Sequence, residues 1–90
     1  MNSVWVFHGI NARFTSAVFD SKDIAEKWIF EQKLTGMLTQ YPLNISAYEW
    51  AINTGSFEPK KDEHKTPEYI GKFSSASQQH HHYVDGEQEA

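Results

Sequence analysis

Three consecutive histidines, His80, His81 and His82, lie near the C-terminal end of the sequence and precede Tyr83-Val84-Asp85-Gly86. Histidine is the side chain that most readily binds transition metals, transfers protons and changes charge near neutral pH. Side chains alternate between the two faces of a β-strand, so His80 and His82 would share one face, with His81 on the other. At most two of the three imidazoles could therefore serve one site.

A divalent metal site is the most specific hypothesis for these histidines. On a strand, the Cα atoms of His80 and His82 would be roughly 6.5 Å apart, so both side chains could reach one ion. A zinc centre needs at least a third protein ligand, and the candidates are His8, His64 and Asp85. His8 could join only if its strand lies beside the last one. The plainer alternative is that the histidines are exposed or partly buried sheet residues that bond to backbone or water.

The same histidines could also act without a metal. His8 and His82 could form an acid-base pair in a small hydrolase or phosphodiesterase, with Arg13 or a lysine holding an anionic substrate. The serines of segment 74–77 offer hydroxyl groups, but no strand-turn-helix elbow surrounds them. The sequence therefore identifies no catalytic residue, and a non-catalytic role is the main expectation.

Composition limits the class of protein. A chain of 90 residues with 39% hydrophobic side chains, including three Trp, six Phe and four Tyr, suits one small domain with its own core. The net charge of -4 disfavours binding to nucleic-acid phosphates or anionic membranes. The absence of cysteine excludes disulfides and thiolate ligands. The N-terminus lacks the features of a signal peptide and no stretch has about 20 apolar residues, which predicts a cytoplasmic protein.

The first half of the chain predicts a hairpin, a helix and a strand. Val4 to His8 is rich in β-branched and aromatic residues, as in a strand covered on both faces, and a turn at 9–12 leads to a second strand from Arg13 to Phe19. Apolar residues between Ile24 and Ile29 then recur at helical spacing after a cap at Asp20 or Ser21. This helix is expected to stop near Gly36, and a third strand follows at 37–41.

The second half predicts two short helices and a last strand. Ser46 and Glu49 have the S-x-x-E spacing of a capping box, so a helix should run from about Ala47 to Thr54 and end at Gly55. Thr66-Pro67-Glu68 has the residue types of another helix start. The segment 79–84 is expected to be the final strand, because a helix there would lack caps and an apolar face.

These elements predict an α+β domain at residues 1–86, with 87–90 as a loose C-terminal tail. The sheet should be antiparallel with about four strands, in the chain order β-β-α-β-α-α-β, packed by one main helix and two short helices. The large aromatic residues expected in the core are Trp5, Phe7, Phe14, Trp28 and Trp50. Three others lie nearer element ends and are candidates for an exposed partner-binding surface: Tyr41, Phe57 and Tyr83.

Several stretches of the sequence resemble a family of small bacterial proteins of unknown function. They are Val4 to Gly9, Leu34 to Pro42, Tyr48 to Ile52, Phe73 to Ser77 and His80 to Gly86. The resemblance covers nearly the whole chain and implies no activity, substrate or cofactor. It does imply that the histidine run is native rather than an engineered tag.

The expected function is that of a small non-catalytic, acidic binding or regulatory module that acts through protein-protein contacts. Its partner would be another protein, or a second copy of the chain across an open sheet edge, without nucleic acid or membrane. No cofactor is expected. The two alternatives are a protein that binds zinc or another divalent transition metal through its histidines, and the small hydrolase or phosphodiesterase.

Overall fold

The computed structural model describes residues 2–89, which form one antiparallel sheet of five strands together with three α-helices. The elements in chain order are β1 (Ser3–Gly9), β2 (Ala17–Phe19), α1 (Lys22–Gln32), β3 (Gly36–Pro42), α2 (Ala47–Asn53), a 3-10 helix (Asp62–Lys65), α3 (Pro67–Gly71), β4 (His80–Val84) and β5 (Glu87–Gln88). The α+β class and the order of the expected elements are confirmed. The sheet contains one strand more than expected, β5. No helix within residues 2–89 has the length and apolar character needed to cross a membrane.

The strand order in the sheet is β2-β1-β3-β4-β5, so β3 lies between β1 and β4. Residues paired across antiparallel strands lie on the same face, and the register therefore divides the strand residues into two sets. The first set faces α1 and is called the covered face; it includes Trp5, Phe7, Leu38 and Tyr83. The second set is called the open face and consists of Val4, Val6, His8, Val18, Met37, Thr39, Tyr41, His80, His82, Val84 and Glu87.

The core lies between α1 and the covered face. Ala25 and Ile29 of α1 are fully buried against the strands, as is Leu38 of β3. Phe7 packs edge-on against Trp28, with the ring centroids 5.6 Å apart. Burial of a large apolar side chain contributes about 1.5–3 kcal/mol, so the side chains buried between α1 and the sheet make a large contribution to stability.

The first helix begins at its expected cap but ends earlier than expected. The Ser21 hydroxyl accepts a hydrogen bond from the backbone N–H of Ile24, and Lys33 ends the helix in a left-handed conformation with φ 55°. Gly36, the expected stop, instead begins β3. A Cβ atom at Gly36 would lie 2.8 Å from the Phe7 ring and 2.9 Å from the Gly9 Cα atom, so its missing side chain lets β1 and β3 approach closely.

The two expected short helices are confirmed, and they pack around a second aromatic cluster. The Ser46 hydroxyl accepts from the N–H of Glu49 at 3.0 Å, and the Thr66 hydroxyl accepts from the N–H of Tyr69 at 3.2 Å, so both predicted caps are made. The rings of the second cluster belong to Tyr48, Phe57, His64, Tyr69 and Phe73. Tyr48 is the most buried of them, with 8% of its surface exposed.

The expected hairpin partner of β1 is shorter than predicted. Of the segment 13–19, only Ala17–Phe19 pairs with β1. Residues 10–16 form a loop. Phe14 lies in this loop with 75% of its surface exposed, so its predicted place in the core is wrong. Trp50 is half-buried at the end of the sheet rather than in the main core.

The expectation of a loose tail at 87–90 is also wrong for the residues that the structure describes. Asp85 and Gly86 have φ angles of 50° and 90° and form the tight turn typical of a two-residue hairpin. Glu87–Gln88 then pairs with β4, and the N–H of Glu89 donates to the carbonyl of His82 at 2.8 Å. Ala90, like Met1, lies outside the described residues.

Candidate functional site

The pleat of β4 divides the histidine run as the sequence predicted. His80 and His82 are exposed on the open face, whereas His81 is half-buried on the covered face, where its ring centroid lies 6.0 Å from that of Trp5. The exposed pair is close together, with ring centroids 5.7 Å apart and the ring planes nearly perpendicular. Two imidazoles of the run are therefore available to one ligand.

His8 lies on the same open face but not beside β4. The register pairs His8 with Met37, and Met37 with His82, so the three side chains form a row across β1, β3 and β4. Neighbouring strands are about 4.8 Å apart, which separates the Cα atoms of His8 and His82 by roughly 10 Å. All three residues line a groove of about 440 Å³ whose rim includes Ile10, Val84 and Glu89.

Backbone carbonyls fix the orientation of two of these imidazoles. Nε2 of His8 donates to the carbonyl of Ala12 at 2.6 Å, and Nδ1 of His80 donates to the carbonyl of Gln78 at 2.7 Å. In a neutral imidazole one nitrogen donates and the other accepts. Nδ1 of His8 and Nε2 of His80 therefore keep a lone pair for a ligand.

The other two candidate metal ligands lie elsewhere. His64 packs in the second aromatic cluster, 5.3 Å from the Phe57 ring and 4.9 Å from the Tyr69 ring, and its Nδ1 accepts from the N–H of Lys61. Asp85 is exposed in the β4–β5 turn. Across residues 2–89, no group of three or more His, Cys, Asp or Glu side chains is placed to hold a metal ion.

His81 has an unusual environment on the covered face. Its Nδ1 accepts from the Gln88 side-chain amide at 3.0 Å, while its buried Nε2 has no hydrogen-bond partner. Burial lowers the pKa of His81, and the positive charge of Lys22 lowers it further, against a smaller opposing effect of Glu26. This lowering of the pKa favours the neutral form of the imidazole.

The expected partner-binding surface is not a single patch. Tyr83 is only 3% exposed because alternation along β4 turns it into the core, where its hydroxyl donates to Glu26 at 2.6 Å, so its place on an exposed surface is wrong. Burial and this hydrogen bond to Glu26 raise the pKa of Tyr83. Phe57 is half-buried in the second aromatic cluster, and Tyr41 is half-buried on the open face.

The serines of segment 74–77 lie in a polar turn before β4. The Ser75 hydroxyl accepts from the N–H of Ser77 at 3.1 Å, and the N–H of Ser75 donates to the side chain of Gln78 at 3.0 Å. Gln78 is 3% exposed and also donates to the carbonyl of Gln40, which anchors the turn beside β3. These bonds give the turn a structural role beside the sheet.

The open face also contains residues that the sequence did not mark as candidates for a site. Met37 lies between His8 and His82, and Val18 and Val84 are 61% and 44% exposed on strands of the same face. The alternation around Val18 was visible in the sequence, but the position of Met37 depends on the register of three strands. The part of the open face that β1 to β4 form contains no Asp, Glu, Lys or Arg side chain, although 22% of the whole chain is charged. Glu87 of β5 lies at the edge of this face, beside Val84.

Comparison with known proteins places the chain in a family without assigning an activity. No curated protein and no solved structure matches it. One family model matches residues 4–89, from β1 to the residue after β5, and so includes the open face and the whole histidine run. The chain therefore belongs to the family described as Domain of unknown function (DUF7710).

Proposed function

We propose that this protein is a small non-catalytic binding module that acts through protein-protein contacts, with the open face as its contact surface and a second copy of the chain as its occupant. The observation that carries the proposal is the absence of charged side chains from the part of the open face that β1, β2, β3 and β4 form. A bacterial source and a cytoplasmic location, both expected from the sequence, are part of the same proposal.

Net charge favours this face over the rest of the surface for contact between copies. Each chain carries a charge of -4, so two copies repel one another at long range. Like charges brought directly together across a contact cost several kcal/mol. The β1 to β4 parts of two open faces can meet without opposing any Asp or Glu if Glu87 and Glu89 lie at the margin of the contact, and valine, methionine and tyrosine side chains then cover one another.

The size of the face indicates which neighbouring residues must take part. Seven-residue strands extend roughly 23 Å, and four strands are roughly 15 Å across. This projected area is well below the roughly 800 Å² that each partner buries in a standard interface. Ile10 at the groove rim and Phe14 in the same loop are 65% and 75% exposed, and we include them in the contact.

The sheet edges are poor alternatives for contact between copies. The edge strands β2 and β5 have three and two residues, and β5 begins with Glu87. Short and charged edge strands limit pairing between sheets of different molecules. Face-to-face packing is therefore favoured over extension of the sheet across an edge.

Light scattering over a concentration series tests the proposal, with Val18→Lys as the diagnostic variant. Val18 is 61% exposed, so the change leaves the core intact while it places a charge in the contact. We expect the wild type to form dimers and Val18→Lys to remain monomeric. Ile24→Lys is the matched control, because Ile24 is 56% exposed on α1, on the other side of the sheet. This control should dimerise like the wild type.

Two results would overturn the second copy as the occupant. One is a wild-type protein that remains monomeric at the highest concentration measured, even if it captures some other protein from a lysate. The other is a dimer that Ile24→Lys weakens and Val18→Lys does not, which would move the contact to the helical side.

A further inference from the structure

We propose that His80, His82 and Met37 form a binding site for a monovalent copper ion on the open face. This inference does not depend on the proposed contact between copies. The two exposed imidazoles of β4 supply two ligands, and the sheet places the Met37 side chain beside them as a third.

The spacing of the two imidazoles suits a shared ion. Metal-nitrogen bonds are about 2.0–2.1 Å long, so two imidazoles on one ion have ring centroids on the order of 5–6 Å apart. The centroids of His80 and His82 are 5.7 Å apart. The pair therefore needs little movement to bind one ion together.

The hydrogen bond of His80 prepares its free nitrogen for a metal. Histidines that bind metals commonly donate their other ring N–H to a carbonyl or carboxylate, which fixes the tautomer and raises the basicity of the ligand atom. Nδ1 of His80 donates to the carbonyl of Gln78, so Nε2 carries the lone pair. Gln78 is itself buried and bonded to Gln40, and this holds the supporting carbonyl in place.

Met37 supplies the third donor. It pairs with His82 in the β3–β4 register, on the same face and with Cβ atoms roughly 4.5–5.5 Å apart, and it lies diagonally from His80. Met37 lines the groove that contains His82 and also an adjoining groove that contains His80. A flexible half-buried thioether in that position can turn toward either imidazole.

The donor set selects monovalent copper over zinc. Thioether sulfur is a soft ligand that favours Cu(I), whereas zinc sites in proteins use thiolate, imidazole and carboxylate. The chain has no cysteine, and residues 2–89 contain no group of three imidazole or carboxylate ligands for a zinc centre. His8 lies beyond Met37 with Nε2 held by Ala12, so it flanks the site without completing a histidine triad.

Anaerobic titration with Cu(I) against a chromogenic Cu(I) chelator tests the site in untagged protein. We expect the wild type to bind one Cu(I) ion per chain. Met37→Leu keeps the apolar volume and should preserve the fold, yet weaken Cu(I) binding by roughly tenfold or more. Because Met37→Leu removes no nitrogen ligand, any weak zinc binding should be the same in this variant and the wild type.

Two further measurements separate this site from non-specific binding by histidine. His82→Gln should also lose Cu(I) binding, whereas His64→Gln, which changes a histidine of the second aromatic cluster, should not. X-ray absorption of the Cu(I)-loaded protein should show sulfur scattering in the wild type that is absent in Met37→Leu. Equal Cu(I) affinity in Met37→Leu and the wild type, or equal losses in His82→Gln and His64→Gln, would overturn the proposal.

The same titration with Val18→Lys keeps the two proposals separate. This variant changes the open face at β2, away from β4, and is expected to be monomeric. Wild-type Cu(I) affinity in Val18→Lys would support the site in a single chain. Loss of Cu(I) binding in a folded Val18→Lys protein would overturn the assignment to one chain.

Discussion

Tyr83 donates a 2.6 Å hydrogen bond to Glu26 and thereby links the last long strand, β4, to the main helix, α1. Tyr83 is 3% exposed, while Glu26 is half-buried and also lies 3.8 Å from the ammonium group of Lys22. Hydrogen bonds to charged acceptors are among the stronger ones in proteins. This contact fastens one end of the sheet to the helix that covers it.

Removal of the Tyr83 hydroxyl should therefore destabilise the fold without disturbing its packing. We expect Tyr83→Phe to lower the free energy of unfolding by about 1–2 kcal/mol, because the ring remains and only the hydrogen bond is lost. Urea denaturation should show a lower midpoint with an unchanged m-value. Tyr41→Phe, on the open face, is the matched control and should change stability by less than about 0.5 kcal/mol. An unchanged midpoint in Tyr83→Phe would contradict the role of this bond.

His81 should make stability depend on pH. Its pKa is lower in the folded protein than the ordinary histidine value of about 6.5, so the unfolded chain binds more protons as the pH falls below that value. The contribution of His81 to the free energy of unfolding should be constant above about pH 7.5 and should lower stability from about pH 6.5 downward. Urea midpoints of the wild type and His81→Gln measured from pH 8 to pH 5.5 check this. The decrease should be smaller in His81→Gln, and parallel curves over the whole range would show that His81 is not the cause.

Gly36 should be the glycine least tolerant of a side chain. An added Cβ would contact the carbonyl oxygen of His8 and lie 2.8 Å from the Phe7 ring, so β1 and β3 would have to separate. We expect Gly36→Ala to cost about 2 kcal/mol or more, as overpacking in a core does. Gly71→Ala is the control, because nothing lies within 4 Å of a Cβ there and alanine favours its helix. In thermal melts, Gly36→Ala should lower the melting temperature, whereas Gly71→Ala should raise it or leave it unchanged.

Phe14 should contribute little to the stability of a single chain. Truncation of a core phenylalanine costs about 3–5 kcal/mol, but Phe14 is 75% exposed. We therefore expect Phe14→Ala to change the free energy of unfolding by less than about 0.5 kcal/mol at low protein concentration, whereas Phe7→Ala should cost the full core value. Equal losses in the two variants would place Phe14 in the core after all.

Local chemistry made the helices predictable from sequence. Ser46 and Thr66 cap their helices through their own hydroxyl groups, and the residues that they contact are three positions away. The hairpin of β4 and β5 could have been found in the same way, because Asp-Gly is a strong signal for a two-residue turn. Lys33 was harder to anticipate, since a lysine in the left-handed conformation has no distinctive sequence pattern.

Properties that depend on pairing between distant strands were not predictable. Phe14 and Val18 have the spacing of residues on one face of a strand. However, only three residues of their segment pair with β1, and Phe14 lies outside the sheet. The insertion of β3 between β1 and β4 separates His8 from His82, and no local pattern reports that order. Met37 belongs to the candidate site only because it pairs with His8 in the β1–β3 register and with His82 in the β3–β4 register. The histidines of the candidate site were thus visible in the sequence as residue types, whereas the place of Met37 required the sheet.

Neighbouring residues of β4 lie on opposite faces of the sheet, and this limits the insertions and deletions that the gene can tolerate. An insertion or deletion of one codon between Gln78 and Gly86 would turn the following side chains to the other face of the sheet. Tyr83 would leave Glu26 and enter solvent, and a different imidazole would be pressed against Trp5. We therefore expect proteins of this family to vary in length in exposed loops such as 58–61 while the number of residues from position 78 to position 86 is inherited unchanged.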